Sequence, residues 1–124
     1  MTRQITILTI ILCSFFIAYG QNSKDNYWEN LPEPTGWVND FENILTVEEE
    51  KTLDSLIADY EKRTTIEIAI ITIPTSATEK ERFDELTLHI AKTWGVGKKE
   101  KNNGILIGIS KGHRKMKNSK LLWN

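Results

Sequence analysis

Apolar positions along the chain fall into five blocks, and their spacing predicts an element for each. Residues 5–17 form an almost unbroken apolar run. Leu53, Leu56, Ile57 and Tyr60 recur at three- and four-residue intervals, the stripe of an amphipathic helix. Ile66-Glu67-Ile68-Ala69-Ile70-Ile71-Thr72-Ile73 is β-branched and nearly continuous, which predicts a strand covered on both faces and ended by Pro74. Phe83, Leu86, Ile90 and Trp94 mark a second helical stripe, and Gly104-Ile105-Leu106-Ile107-Gly108-Ile109-Ser110 a second strand.

Polar residues place the boundaries. Thr46 with Glu49 three positions on spells a capping box, followed by Glu48, Glu49 and Glu50 at the positive end of the helix dipole. Lys62 and Arg63 suit the negative end. Thr78 with Glu81 spells a second capping box, and Gly95 is placed to end that helix in the left-handed conformation. Residues 38–45 read as a loop. Residues 21–36, with Pro32 and Pro34, read as an extended lead-in that Trp28, Leu31 and Trp37 anchor to the body. His89 lies off the second stripe and is expected on the surface; Trp94 lies in it and is expected in the core.

Strand, helix, strand predicts a parallel crossover and an α/β fold, an α-β-α sandwich. Two strands are too few for a stable sheet. Lys111-Gly112 offers a turn and Arg114-Lys115-Met116-Lys117 starts back, but residues 118–124 do not read as its continuation. The expectation is a β-layer incomplete at the C-terminus, with the second strand exposing an unpaired edge. A one-base frameshift near Lys117 would account for it, and the DNA at that point tests the idea.

The N-terminal run then takes on a specific sense. Arg3 precedes the apolar stretch, and Ala18 and Gly20 stand three and one positions before Gln21. This is the layout of a secretory signal peptide, residues 1–20, too short to span a membrane as a helix. The expected location is therefore periplasmic or extracellular, with membrane contact only through the signal. Cys13, the one cysteine, leaves with it, so neither disulfide nor thiol chemistry is expected afterwards. At 40% hydrophobic and 27% charged, the chain has an ordinary globular composition. Its bases gather late, with nine from Lys92 onward and Glu100 as the one acid there. Without aromatic interleaving or a recognisable motif they read as solvated turns, and no nucleic-acid partner is expected.

Several stretches together resemble the N-terminal half of the TPM domain, a family named for thylakoid-lumen phosphatase-like proteins and their exported bacterial relatives. They are Val38-Asn39-Asp40, Ile44-Leu45-Thr46 opening an acidic helix, and the strand ending at Pro74. Trp94-Gly95-Val96-Gly97, Asn102-Asn103-Gly104-Ile105-Leu106-Ile107 and Arg114-Lys115 follow in order. On this resemblance residues 37–124 form a partial TPM-like domain. The family implies an α-β-α sandwich, divalent-cation binding with Ca²⁺ or Mg²⁺, and phosphatase activity in some members. Asn102 stands where the family usually has aspartate, so a charge for the cation is missing.

Two groups of candidate residues follow. The resemblance implies a metal site at Asn102 and Asn103, with Asp40 a further candidate, although Asp40 is expected a full strand away. Open α/β sheets bind ligands beyond the C-terminal strand ends. There Thr75, Ser76 and Thr78, read as a helix N-terminus, and Arg114 form a candidate anion site. The competing reading is structural: Asp40 caps a turn and Thr78 caps its helix. No Ser/His/Asp set is recognisable, and no catalytic residue is assigned. The function expected is an exported metal-binding TPM module, with phosphatase activity in its complete form and little as it stands here. The alternative is a non-enzymatic envelope module for assembly or repair that binds a protein partner. A phosphate ester and an unknown protein are thus the two partners expected.

Overall fold

A computed structural model describes residues 23–97 and 103–121. Residues 1–20, expected as a signal peptide, and Asn102 lie outside the described residues. Helix α1 is Ser23–Glu29, strand β1 Val38–Asp40, helix α2 Val47–Thr64 and strand β2 Glu67–Thr72. A 3₁₀ turn, Lys80–Arg82, leads into helix α3, Phe83–Trp94, followed by β3, Gly104–Ser110, and β4, Lys115–Leu121. The sheet order is β1-β2-β3-β4, with β4 alone antiparallel.

The expected bare edge of β3 is closed. Every residue of β3 has a partner in β4, and residues 118–121 of the supposed broken tail pair with Ile107, Leu106, Ile105 and Gly104. Val38–Asp40, expected as loop, is a strand paired with residues 70–72. Asn39 secures it: its amide nitrogen donates to Gly36 O and Ile70 O, and its oxygen accepts from Thr35 N.

The first capping box forms as expected. Glu49 N donates to Thr46 Oγ1 and Thr46 N to the Glu49 carboxylate, together worth about 1 kcal/mol. The apolar stripe of α2 is turned away from the expected burial, however. Asp54 accepts from Val38 N and Glu61 from Trp37 Nε1. These ties fix the helix so that Ile57 is buried while Leu56 stays 64% exposed. At the other end Thr65, not glycine, takes the left-handed cap at φ 62°.

The second capping box does not form. Thr78 is buried in the turn after β2, and Glu79 and Arg82, the residues preceding the 3₁₀ turn and α3, make no side-chain cap. Once α3 starts, Phe83, Leu86, Thr87, Ile90 and Ala91 are buried, and Gly95 closes the helix at φ 65°. Phe83, Leu86 and Ile90 are wholly buried, each contributing roughly 1.5–3 kcal/mol.

Alternation along the strands assigns the faces. Ala69, Ile71 and Leu106 join Leu86 and Ile90 in the main core, so α3 covers that face. On the opposite face α2 packs on β1 and β2. The result is the expected three-layer α-β-α arrangement.

The lead-in departs from a fully extended form, because α1 lies within it. Trp28 stacks on His89 at 5.4 Å, and His89 Nε2 meets Trp28 O at 3.1 Å. His89 is therefore half-buried rather than a free surface residue. Trp94, half-buried against the core, donates to Pro32 O.

Candidate functional site at the C-terminal edge of the sheet

β1 and β2 end side by side, and their last residues form a polar joint. Thr72 Oγ1 donates to Asp40 Oδ1 at 2.8 Å and accepts from Glu42 N at 2.9 Å. Asp40 Oδ2 accepts from Leu45 N at 2.8 Å. Burial by itself would raise the Asp40 pKa. Hydrogen bonds from Leu45, Thr72, Ile44 and Glu42 outweigh it and hold the carboxyl below its ordinary value. The structural role foreseen for Asp40, turn capping, is thus present.

The turn between β3 and β4 meets this joint from the other side. Lys111 N donates to the Glu42 carboxylate over a long 3.4 Å. Arg114 holds the left-handed conformation, φ 52°, and its N–H closes the turn on Lys111 O. His113 Nε2 lies 2.9 Å from Thr78 O; a carbonyl only accepts, so this nitrogen carries the proton. A Cβ on Gly112 would collide with the Thr75 methyl, so only glycine lets the turn lie this close. The 111–114 turn is thereby docked on the segment that follows β2.

Asp40, Thr75, Ser76, Thr78 and Arg114 accordingly share one end of the sheet. Two details differ from expectation. The segment carrying Thr75, Ser76 and Thr78 is a turn, not the start of α3, so no helix dipole points from these hydroxyls. Thr78 Oγ1 is buried and has no hydrogen-bond partner among the described residues.

Asn103 lies at the other end. Its side-chain amide nitrogen donates to Thr65 O and its backbone carbonyl accepts from Glu67 N. The length of β2, roughly 17–20 Å for its six residues, separates it from Asp40. Asp40 and Asn103 therefore cannot share an ion. The glycines of the same block have a structural use. Cβ atoms on Gly97 or Gly104 would run into the other's backbone, and Gly97 sits at φ 89°. The Trp-Gly-x-Gly and Asn-Asn-Gly pieces thus lock two loops together. An open cleft of about 410 Å³ lies nearby, lined by Trp37, Glu67 and Trp94 among others; it is far from the polar joint.

Glu42 and Thr72 were not singled out from the sequence. A signal existed for each: Thr72 is the polar interruption near the end of an apolar strand, and Glu42 follows Asp40 by two.

A mostly parallel sheet with helices on both faces defines an open α/β sandwich. The TPM domain profile matches residues 38–119, and the chain belongs to the TPM-domain family. It also resembles the solution NMR structure of the N-terminal domain of a protein from P. gingivalis, with a TM-score of 0.62 and 24% identity. The likeness covers 72% of this chain and 55% of that one, so the chain spans about half of its solved neighbour. No curated protein matches the chain.

Proposed function

We propose that the C-terminal edge of the sheet is the working end of this TPM domain. In this reading Asp40 and Glu42 hold a hydrated Ca²⁺ or Mg²⁺, and the phosphate of an ester lies toward Lys111, Arg114, Thr75 and Ser76. One observation carries it: the acidic end of β1 is tied to the basic β3–β4 turn through Lys111 N and Glu42. The donor set fits a weakly held cation. Asp40 is kept ionised by the hydrogen bonds it accepts, one of which would yield to the ion. Glu42 makes only a long bond and is able to turn toward an ion. Two carboxylates fall short of the six to eight oxygens Ca²⁺ takes, so water completes the shell, and a dissociation constant of roughly 10⁻⁴–10⁻³ M is expected. A bound cation would supply charge neutralisation for the phosphate. The protein's own residues bind and orient; none is assigned as nucleophile.

Calorimetric titration with Ca²⁺ and Mg²⁺, and hydrolysis of a generic aryl phosphate with and without chelator, test the reading. Glu42→Gln is the suitable variant, because Asp40 also supports the fold. Loss of cation binding in that variant is expected. No heat at millimolar cation, or binding that survives the substitution, would sink the proposal. Arg3, the apolar run and Ala18 and Gly20 support export with cleavage before Gln21. A secreted product whose measured mass begins elsewhere would contradict it.

A further inference from the structure

The two faces of the sheet are covered differently. Toward α2, Ile105, Ile107 and Ile109 of β3 stay half-exposed. Toward α3 the chain supplies its own cover. Tyr27, Trp28 and Leu31 of the lead-in pack on the core beside the helix, and Trp94 Nε1 holds the segment by donating to Pro32 O. The open cleft near Asn103 begins where this cover ends. Ala69 forms its floor, and Trp37 and Trp94 stand at its sides. Glu67, two residues before Ala69 and so on the same face of the strand, lines it too and is half-buried.

The lining is short of free donors. The Trp37 indole N–H goes to Glu61 and that of Trp94 to Pro32 O. Thr35 gives both its N–H and its hydroxyl to Asn39. Glu67 N is spent on Asn103 O and Val96 N on Ala91 O. What the cleft offers a ligand is therefore π surface and acceptors. The Glu67 carboxylate has neither a hydrogen bond nor an ion pair among the described residues.

That combination selects by charge. Aromatic faces are electron-rich, so an unpaired, half-buried carboxylate between two indoles is unfavourable until a cation joins it. A hard metal ion suits the cleft poorly, since it wants a shell of oxygens and finds one carboxylate. A cation whose charge is spread over methyl groups needs no such shell and packs against apolar walls. The volume, about 410 Å³, falls within the roughly 300–1,000 Å³ of small-molecule sites. We propose that this cleft binds a quaternary alkylammonium group of the choline type, with Glu67 as counter-charge and Trp37 and Trp94 as π walls. The site lies at the opposite end of the sheet from Asp40 and Glu42 and is independent of the function proposed there.

Choline is the probe, followed by the indole N–H signals of the isotope-labelled protein. Saturable millimolar binding is expected, with the Trp37 and Trp94 signals moving and that of Trp28 still. Glu67→Gln and Trp37→Leu should each weaken it about five- to thirtyfold, and Trp37→Phe less. The neutral alcohol with carbon in place of the nitrogen should bind at least about tenfold more weakly. Glu81→Gln, which alters an exposed carboxylate on the 3₁₀ turn, should leave binding unchanged. Trp37 is already 39% exposed and glutamine keeps the shape of Glu67, so circular dichroism should show the fold retained. Retention on phosphatidylcholine vesicles, lost in Glu67→Gln, would identify a lipid headgroup as the source of the group; binding of free choline without retention, a solute. Four results would overturn the proposal. They are no response to tens of millimolar choline or to the vesicles, equal binding of the neutral alcohol, variants at Glu67 and Trp37 that bind as the parent does, and competition by Ca²⁺.

Discussion

Replacing Thr72 by valine probes the joint on which the C-terminal edge depends. The side chain is 1% exposed, and its hydroxyl makes two bonds, to the Asp40 carboxylate and from Glu42 N. Valine keeps the shape and removes both. A hydrogen bond to a charged group is worth about 1.5–3 kcal/mol and an ordinary one about 0.5–1.5. The added methyl returns about 0.8 kcal/mol. A net loss of about 2–3 kcal/mol is expected, a fall in Tm of roughly 10–20 °C for a domain of this size. Urea unfolding of Thr72→Val, Thr72→Ser and the parent measures it, and serine should keep most of the stability. The loss should also depend on pH. The folded pKa of Asp40 is below its ordinary 3.8. Its contribution is thus full above that value and disappears as the pH falls through the lower, folded one. The valine variant should therefore approach the parent in acid. A loss below about 0.5 kcal/mol near neutrality, or one that does not shrink in acid, would refute the reasoning.

Other consequences are more local. Gly108→Ala would put a Cβ 2.7 Å from the γ atoms of buried Thr87. A cost of about 1–3 kcal/mol is expected, largely relieved in the double variant with Thr87→Ala when both are compared by denaturant unfolding. Thr65→Gly removes a side chain from a left-handed cap and should stabilise by about 0.5–1 kcal/mol; a lower denaturation midpoint would contradict that. Burial, with Glu42 adding, raises the Tyr27 pKa from 10.0 to about 12. The unfolded chain then ionises first, and stability should fall as the pH rises across that interval. Tyr27→Phe should abolish this fall at little cost near neutrality, since the hydroxyl has no partner among the described residues.

Where the sequence could be read correctly, the determining chemistry was local. The Thr46–Glu49 box, the left-handed Gly95 and the apolar runs of β2 and β3 each depend on neighbours a few residues away. β1 and β4 do not. Val38-Asn39-Asp40 is a strand because Asn39 bonds Gly36 and Ile70. In β4 the buried residues are Ser119 and Leu121, a choice made by pairing with β3 and not by hydrophobicity. Thr78 and Glu81 have the spacing of a cap, yet Thr78 is buried and its carbonyl engages His113. The candidate site was half legible. Asp40 and the 75–78 segment were placed at the correct end by topology. Glu42, Thr72 and the docking of Gly112 on Thr75 depend on contacts between distant parts of the chain. The half-exposed isoleucines of β3 were beyond pattern reading, since periodicity shows which residues share a face but not which face is covered.

Backbone amide shifts during a Ca²⁺ titration of the isotope-labelled protein test the placement of function most directly. Saturable shifts centred on Asp40, Glu42, Thr72 and Lys111 are predicted, with Thr65 and Asn103 unmoved. Shifts centred on Thr65 and Asn103, or none at millimolar Ca²⁺, would place the working end elsewhere.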